Sequence, residues 1–149
     1  MKFVLKNINL LNYLNPKNIC RIIKIKLSDV FEIVAFPSFK GNQLDKGKYE
    51  IVSATKFNNG VSKYTNDKNE NKLIPKGIFT TANVGAGSGY IFYHDKPFYN
   101  GGNIICMNPK IKINLLNTFI FTNFINSFTD GCYASLQSKL KDIIFYIIN

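Results

Sequence analysis

Short apolar runs separated by turn-forming residues fill most of the chain, and they restrict it to a fold built from short strands. Residues 22–27 alternate between apolar and Lys side chains over part of their length, as a half-buried strand does. Further strand candidates are residues 50–55, 61–64, 78–84, 90–93, 103–107 and 143–148. Asn58-Asn59-Gly60 is a hairpin-type turn signal between two of these runs. The sequence therefore predicts a twisted, mostly antiparallel sheet.

One stretch near the C-terminus has the period of a helix instead. Apolar residues recur on one helical face from residue 115 to residue 128, Asn114 can cap the start, and Asp130-Gly131 can end it. Ser28 and Ser138 are expected to begin short helical turns. The predicted class is α/β, more closely α+β: a mixed, mostly antiparallel sheet with short capped helical turns and one C-terminal amphipathic helix.

The domain organisation follows from length and polarity. The chain has 149 residues, which is enough for one domain. Residues 1–18 are polar and rich in Asn, so we interpret them as a lead-in to a single domain over residues 19–149. Residues 65–72 are wholly polar, and we expect an exposed and mobile loop there because it has no apolar anchor.

The charge is strongly positive, with 19 Lys and Arg against 9 Asp and Glu and a formal net charge of +10. This balance favours a polyanionic partner, although the use of Lys in place of Arg everywhere except Arg21 reflects in part an AT-rich genome. No apolar run reaches the roughly 20 residues that span a bilayer, and no signal peptide is recognisable. We therefore expect a cytoplasmic protein with no membrane partner and with reduced cysteines.

Two motifs favour a structural interpretation over a chemical one. Gly85-Ala86-Gly87-Ser88-Gly89 precedes strand-like residues rather than a helix, so it predicts a tight turn or a close backbone approach, not a phosphate cradle. His94 is the only histidine, and we expect it at the surface or in a turn beside Asp95.

The acidic residues offer little chemistry. Asp45, Asp67 and Glu70 could serve a small metal-dependent nuclease, but they lie in loops rich in Lys and Asn, with no strand acid beside them to help hold Mg²⁺. We therefore predict no catalytic residue, no metal site and no cofactor, and we keep the nuclease only as a remote alternative.

Basic and aromatic residues interleave over residues 56–64 and again over residues 90–96, a pattern typical of nucleic-acid binding. Lysines neutralise phosphates without reading sequence, whereas Asn, Tyr and His side chains can reach base edges. The predicted phosphate contacts are Lys56, Lys63, Lys68, Lys72 and Lys96. The other predicted DNA contacts are Asn58, Asn59, Tyr64, Asn83, Tyr90, Tyr93 and His94.

Several segments together resemble a known family. The first of these segments is Ile25-Lys26-Leu27-Ser28-Asp29-Val30-Phe31-Glu32-Ile33. The next two are Val52-Ser53-Ala54-Thr55 and Asn58-Asn59-Gly60-Val61-Ser62-Lys63-Tyr64. They are followed by the glycine-containing residues 78–93, by Phe98-Tyr99-Asn100-Gly101-Gly102-Asn103-Ile104, and by residues 136–148. In this order and spacing, residues 18–148 resemble the target-recognition domain of specificity subunits of Type I restriction–modification systems. Lys63 stands where a Gly is usual.

The resemblance implies a non-catalytic module that reads one half of a split double-stranded DNA target. Its implied partners are a methyltransferase (modification) subunit, a restriction subunit and a second half-specificity chain. The long spacer helix and second copy of the family are missing, so we expect a truncated product, a stand-alone half or a viral or mobile-element relative. The alternative is a truncated interaction module that modulates such a complex.

Overall fold

The computed structural model describes residues 22–85, 87–113, 118, 122 and 144–148, without the side chains of residues 22–26 and 144–148. Apart from a 3-10 turn at Asn58–Gly60, its elements are β1 (Ile22–Lys26), α1 (Leu27–Val30), β2 (Phe31–Val34), β3 (Tyr49–Ser53), β4 (Val61–Thr65), β5 (Ile78–Ala82), β6 (Ile91–His94), β7 (Phe98–Gly102), β8 (Ile104–Pro109) and β9 (Ile144–Ile148). Within this part of the chain, no helix is long and apolar enough to cross a membrane.

The strands form three sheets, and most neighbours are antiparallel. A four-stranded sheet has the order β2-β8-β5-β6 and is antiparallel throughout. In the three-stranded sheet, β4-β3-β7, the strands β3 and β4 are antiparallel, whereas β3 and β7 are parallel. The strands β1 and β9 form an antiparallel ribbon in which Ile22 lies opposite Ile148. The predicted mostly antiparallel α+β fold is confirmed.

Alternation along the strands produces a layered core. Ile105 and Met107 of β8 face one side of the four-stranded sheet, while Ile104 and Cys106 face the other. The cluster beside α1 comprises Leu27, Val30, Phe31, Phe79, Ile91, Ile105 and Met107. The cluster between the two larger sheets comprises Val52, Val61, Ile74, Ile78, Phe98 and Cys106. A third cluster, on the other face of the three-stranded sheet, comprises Phe39, Ile51 and Tyr99.

Three strand connections meet at one end of these sheets, which we call the loop end: residues 54–60, 83–85 with 87–90, and 102–103. The pairing of Thr81 with Ile91 and of Ala82 with Ile104 brings the second and third connections together. They are joined by a 2.9 Å hydrogen bond from the Asn83 amide to the Asn103 carbonyl. The first connection touches the second at Gly87, which lies against the backbone of residues 54 and 55.

The polar loop over residues 65–72 is exposed at residues 66–71, as predicted, but hydrogen bonds anchor it to the rest of the fold, which was not expected. Thr65 is fully buried at the end of β4, and the Asn69 amide donates to the Tyr99 hydroxyl over 2.7 Å. The Asn66 side chain accepts a hydrogen bond from the Lys48 amide, and the Asp67 carboxylate accepts one from the Asn42 amide. Sequence inspection missed this because the anchoring hydroxyl comes from β7, distant along the chain.

Removal of the Tyr99 hydroxyl should release this loop without unfolding the domain. Tyr99→Phe keeps the ring stacked on Phe39, at 4.4 Å between centroids, but removes the partner of the Asn69 amide. We expect a loss of about 1 kcal/mol in unfolding free energy and faster amide exchange over residues 66–72. Tyr49→Phe, which alters a ring packed against Tyr99, is the matched control. Unchanged exchange in Tyr99→Phe would contradict the anchor.

The structure describes the predicted helical segments only in part. The helical turn after Ser28 is observed, but α1 already begins at Leu27 and ends at Val30, where the chain enters β2. Of the helix predicted after Asn114, only Thr118 and Thr122 are described; both are helical, and the Thr122 hydroxyl donates to the Thr118 carbonyl over 2.9 Å. Residues 1–18, the turn at Ser138, Cys20 and Cys132 lie outside the described residues. Cys106 is a free, buried thiol, and burial raises its pKa to about 12.

Candidate nucleic-acid interface

A left-handed turn shapes the first connection of the loop end. Asn58, Asn59 and Gly60 have φ values of 49°, 52° and 79°, which only Gly, and less readily Asn, adopts at low cost. The Gly60 amide closes the turn by donating to the Phe57 carbonyl over 2.9 Å. A side chain at Gly60 would also meet the Phe92 ring at 3.0 Å. The sequence Asn-Asn-Gly is therefore needed for backbone geometry, whatever else its side chains do.

The two Asn side chains of this turn are exposed, and each donates one N–H to a backbone carbonyl. Asn58 donates to the Val61 carbonyl over 3.3 Å, and Asn59 donates to the Tyr93 carbonyl over 3.2 Å. Because β6 is an edge strand of its sheet, the Asn59 bond ties the turn to that edge. An amide NH₂ has two N–H groups, so each side chain can still offer one N–H and its oxygen to a ligand.

The glycines of the second connection make a tight turn and a close approach, as predicted. Gly85 and Gly89 have φ values of 88° and 87°. A Cβ at Gly87 would lie 3.1 Å from the Ala54 carbonyl oxygen. The strand β6 follows directly, so these glycines join two strands and place the two connections side by side.

The structure brings together only part of the predicted site. Lys56, Asn58 and Asn59 lie on the first connection of the loop end, and Asn83 and Tyr90 on the second. The others lie elsewhere: Lys63 and Tyr64 on β4, Tyr93 on β6 with its ring packed on Phe79, Lys68 and Lys72 in the anchored loop, and His94 and Lys96 at the opposite end.

Lys63 is exposed but paired. A bulge in β4 leaves Ser62 unpaired between Val61 and Lys63, and the Lys63 ammonium contacts the Asp45 carboxylate at 2.6 Å. The hydrogen bond and charge of Lys63 lower the pKa of Asp45 below its usual value. A solvent-exposed ion pair contributes little to stability, so the pair can open at small cost when a phosphate competes.

His94 is a core residue, so its expected surface position was wrong. Its side chain is 2% exposed, shares a 2.7 Å hydrogen bond with the Thr80 hydroxyl through Nε2, and packs on the Phe98 ring. Burial lowers its pKa to about 4, and the nearby Asp95 opposes the shift only in part. A buried neutral imidazole cannot reach a base edge, which removes His94 from the predicted DNA contacts.

The loop end is free of acidic side chains. Over residues 22–113 the acidic residues lie at the other end of the sheets or beside β4, and they are Asp29, Glu32, Asp45, Glu50, Asp67, Glu70 and Asp95. The three connections of the loop end carry Lys56 and neither Asp nor Glu. Among residues 22–113, a polyanion therefore meets less carboxylate repulsion at this end than at the other.

The candidate nuclease carboxylates have other partners. Asp45 pairs with Lys63, Glu70 pairs with Lys68, and Asp67 accepts the Asn42 amide. Among residues 22–85 and 87–113, and the few described beyond them, no group of three or more His, Cys, Asp or Glu side chains could hold a metal ion.

Sequence inspection missed two exposed apolar residues of the loop end. Phe57 is 69% exposed, and the Lys56 ammonium lies 5.4 Å from the centre of its ring. Val84 is 39% exposed on the second connection, just beyond β5, whereas its pattern placed it within that strand. Apolar residues next to strands are usually core, so only the fold distinguishes these two from buried neighbours.

The chain is similar to known proteins in both sequence and fold. A family model described as the Type I restriction modification DNA specificity domain matches residues 23–148. The crystal structure of the S subunit of a Type-I restriction-modification system from M. genitalium is similar, with a TM-score of 0.60 at 18% identity. The match covers 85% of this chain and 34% of that one, so the chain spans about a third of the subunit. No curated protein sequence matches the chain.

Proposed function

Because the chain belongs to the family of Type I restriction modification DNA specificity domains, we propose that it reads one half of a split duplex target through its loop end. The family serves DNA recognition in restriction–modification systems and is not catalytic. One observation carries the proposal: the first two connections of the loop end touch each other, and both contain Asn residues and no Asp or Glu.

The chemistry of the loop end suits both parts of DNA recognition. Lys56 can neutralise a phosphate, which adds affinity without sequence information. Asn58 and Asn59 can offer the paired donor and acceptor that match adenine, and Tyr90 can offer a hydroxyl. Asn83 lies on the same connection as Tyr90. Lys63 lies on β4 as a further phosphate contact once its ion pair with Asp45 opens.

We further propose that the domain directs a methyltransferase subunit and a restriction subunit to the DNA it binds, together with a second half-specificity chain. The antiparallel ribbon of β1 and β9 supports this arrangement because Ile22 and Ile148 lie side by side. Segments that flank the domain can therefore leave from one place, as a recognition module carried by a larger assembly requires.

Selection from a random duplex library tests DNA reading directly. We expect the enriched duplexes to share a short motif, and the purified protein to bind that motif at least about tenfold more tightly than a scrambled duplex. Binding without any shared motif would contradict sequence reading. It would favour a module that acts by contacting the proteins of such a complex.

Lys56 is the phosphate contact that we predict on the loop end. Lys56→Ala is expected to weaken cognate and scrambled duplexes alike, and to reduce the slope of log K against log salt by about 0.9. Lys96→Ala removes the same charge beyond β6, at the opposite end, and should leave the slope nearly unchanged. The measurement is binding across a salt series. Equal reductions in both variants would place the interface elsewhere.

A further inference from the structure

Phe57 is the most exposed large apolar side chain in the described part of the protein, ahead of Ile111 and Val84. Single exposed apolar residues are common on protein surfaces, so exposure alone indicates no function. Phe57 differs from the other two in how it is held and in what surrounds it.

The backbone that carries Phe57 is fixed on both sides. Its amide donates to the Thr55 hydroxyl over 3.2 Å, and its carbonyl accepts the Gly60 amide over 2.9 Å. The next residues form the left-handed turn, which Asn59 ties to the Tyr93 carbonyl of β6. The backbone that holds the ring is therefore already ordered before a partner binds. Binding to the ring costs little conformational entropy in this loop.

The neighbours of Phe57 complement one kind of base pair. In the major groove an A·T pair shows the thymine 5-methyl group, which apolar side chains contact, and the adenine edge, which Asn reads. Phe57 lies between Lys56, whose ammonium is over its ring, and Asn58, whose side chain is exposed. The loop end carries no Arg, so the usual bidentate reader of guanine is missing there.

We propose that Phe57 is a specificity-determining residue that packs against the 5-methyl group of a thymine in the major groove. This inference rests on the proposed function and extends it to the chemistry of one base pair. Lys56 then neutralises a phosphate beside that pair, and the polar side chains of the turn read the edge next to the methyl group.

Deoxyuridine provides the test because it lacks only the 5-methyl group of thymine. In the selected duplex each thymine is replaced singly by deoxyuridine, and binding is measured for the unaltered protein and for Phe57→Ala. We expect one replacement to weaken binding of the unaltered protein about fourfold, as the loss of one buried carbon would. Phe57→Ala should bind the thymine duplex weakly and be indifferent to that replacement.

A matched variant controls for general effects. Ile111→Ala truncates another exposed apolar residue, beyond β8 at the opposite end, and should retain the full sensitivity to deoxyuridine. Because Phe57 is exposed, both variants should melt at the temperature of the unaltered protein.

The outcomes separate this inference from the proposed function. Selective binding without sensitivity to any deoxyuridine, or a selected motif without thymine, would overturn the role of Phe57 and leave DNA reading intact. An equal loss for Phe57→Ala on thymine and deoxyuridine duplexes would also overturn it, because a wedge between bases does not need the methyl group. The absence of any selected motif would overturn both.

Discussion

Asn59→Ala is expected to lower cognate DNA binding by about 1–3 kcal/mol and unfolding free energy by about 2 kcal/mol. The binding loss follows if the free N–H and oxygen of the amide read adenine. The stability loss has two causes: the left-handed φ of 52°, which Ala tolerates poorly, and the lost hydrogen bond to the Tyr93 carbonyl. Thermal melting and binding to cognate and scrambled duplexes measure the two effects separately.

Two further substitutions assign the causes. Asn59→Gly relieves the backbone strain but has no amide, so it should melt higher than Asn59→Ala and still lose cognate binding. Asn59→Asp tolerates the left-handed backbone but places a carboxylate against the Tyr93 carbonyl, so it should lose the tether as well as the adenine contact. Equal losses on cognate and scrambled duplexes across the series would mean that Asn59 only shapes the turn.

Acidification is expected to destabilise the fold through His94. Its pKa is about 4 in the folded protein and about 6.5 when exposed in the unfolded chain, so between these values the unfolded state binds more protons. The stability associated with the neutral imidazole is complete above pH 6.5 and is lost as the pH falls towards 4. The loss from this group amounts to about 3 kcal/mol.

His94→Gln isolates this effect. The chain contains one histidine, so the variant has no side chain with an unperturbed pKa near 6.5, while the carboxylates remain the same in both proteins. Its amide can still reach the Thr80 hydroxyl, which limits the loss at neutral pH. Denaturant unfolding from pH 7.5 to 4.5 should give a clearly shallower fall for the variant. Parallel curves for the two proteins would contradict the buried neutral state.

Most strands were predictable because their signals are local, and the family was predictable because several such segments follow one another in a characteristic order. Short runs of strand-forming residues place β3, β4 and β5 within a residue or two, and Asn58-Asn59-Gly60 identifies a backbone that few other residues can adopt. The glycines at 85, 87 and 89 were also assigned correctly, because a strand rather than a helix follows them. These features depend on the conformational preferences of residues that are close together in the chain. Such preferences can be inferred directly from the sequence.

The composition of the site depended on strand pairing, which joins distant residues. Lys56 and Lys96 both lie near aromatic residues in the sequence, yet β6 carries the chain from the loop end to the opposite end between Tyr90 and Lys96. His94 is polar and flanked by Asp95, yet its place opposite Ile78 puts it between two sheets. The hydroxyl of Tyr99 holds a loop whose own residues contain no apolar anchor.

The sequence by itself determined the strand-rich fold, the left-handed Asn-Asn-Gly turn and the family to which the chain belongs. Only the tertiary structure decided that Phe57 is exposed, that His94 is buried, that Lys63 meets Asp45, and that five of the predicted contacts share one end. The physical reason is that backbone preference acts over a few residues. Burial and charge pairing depend on which strands lie side by side. Strand pairing joins residues that are distant in sequence, so no short segment determines it.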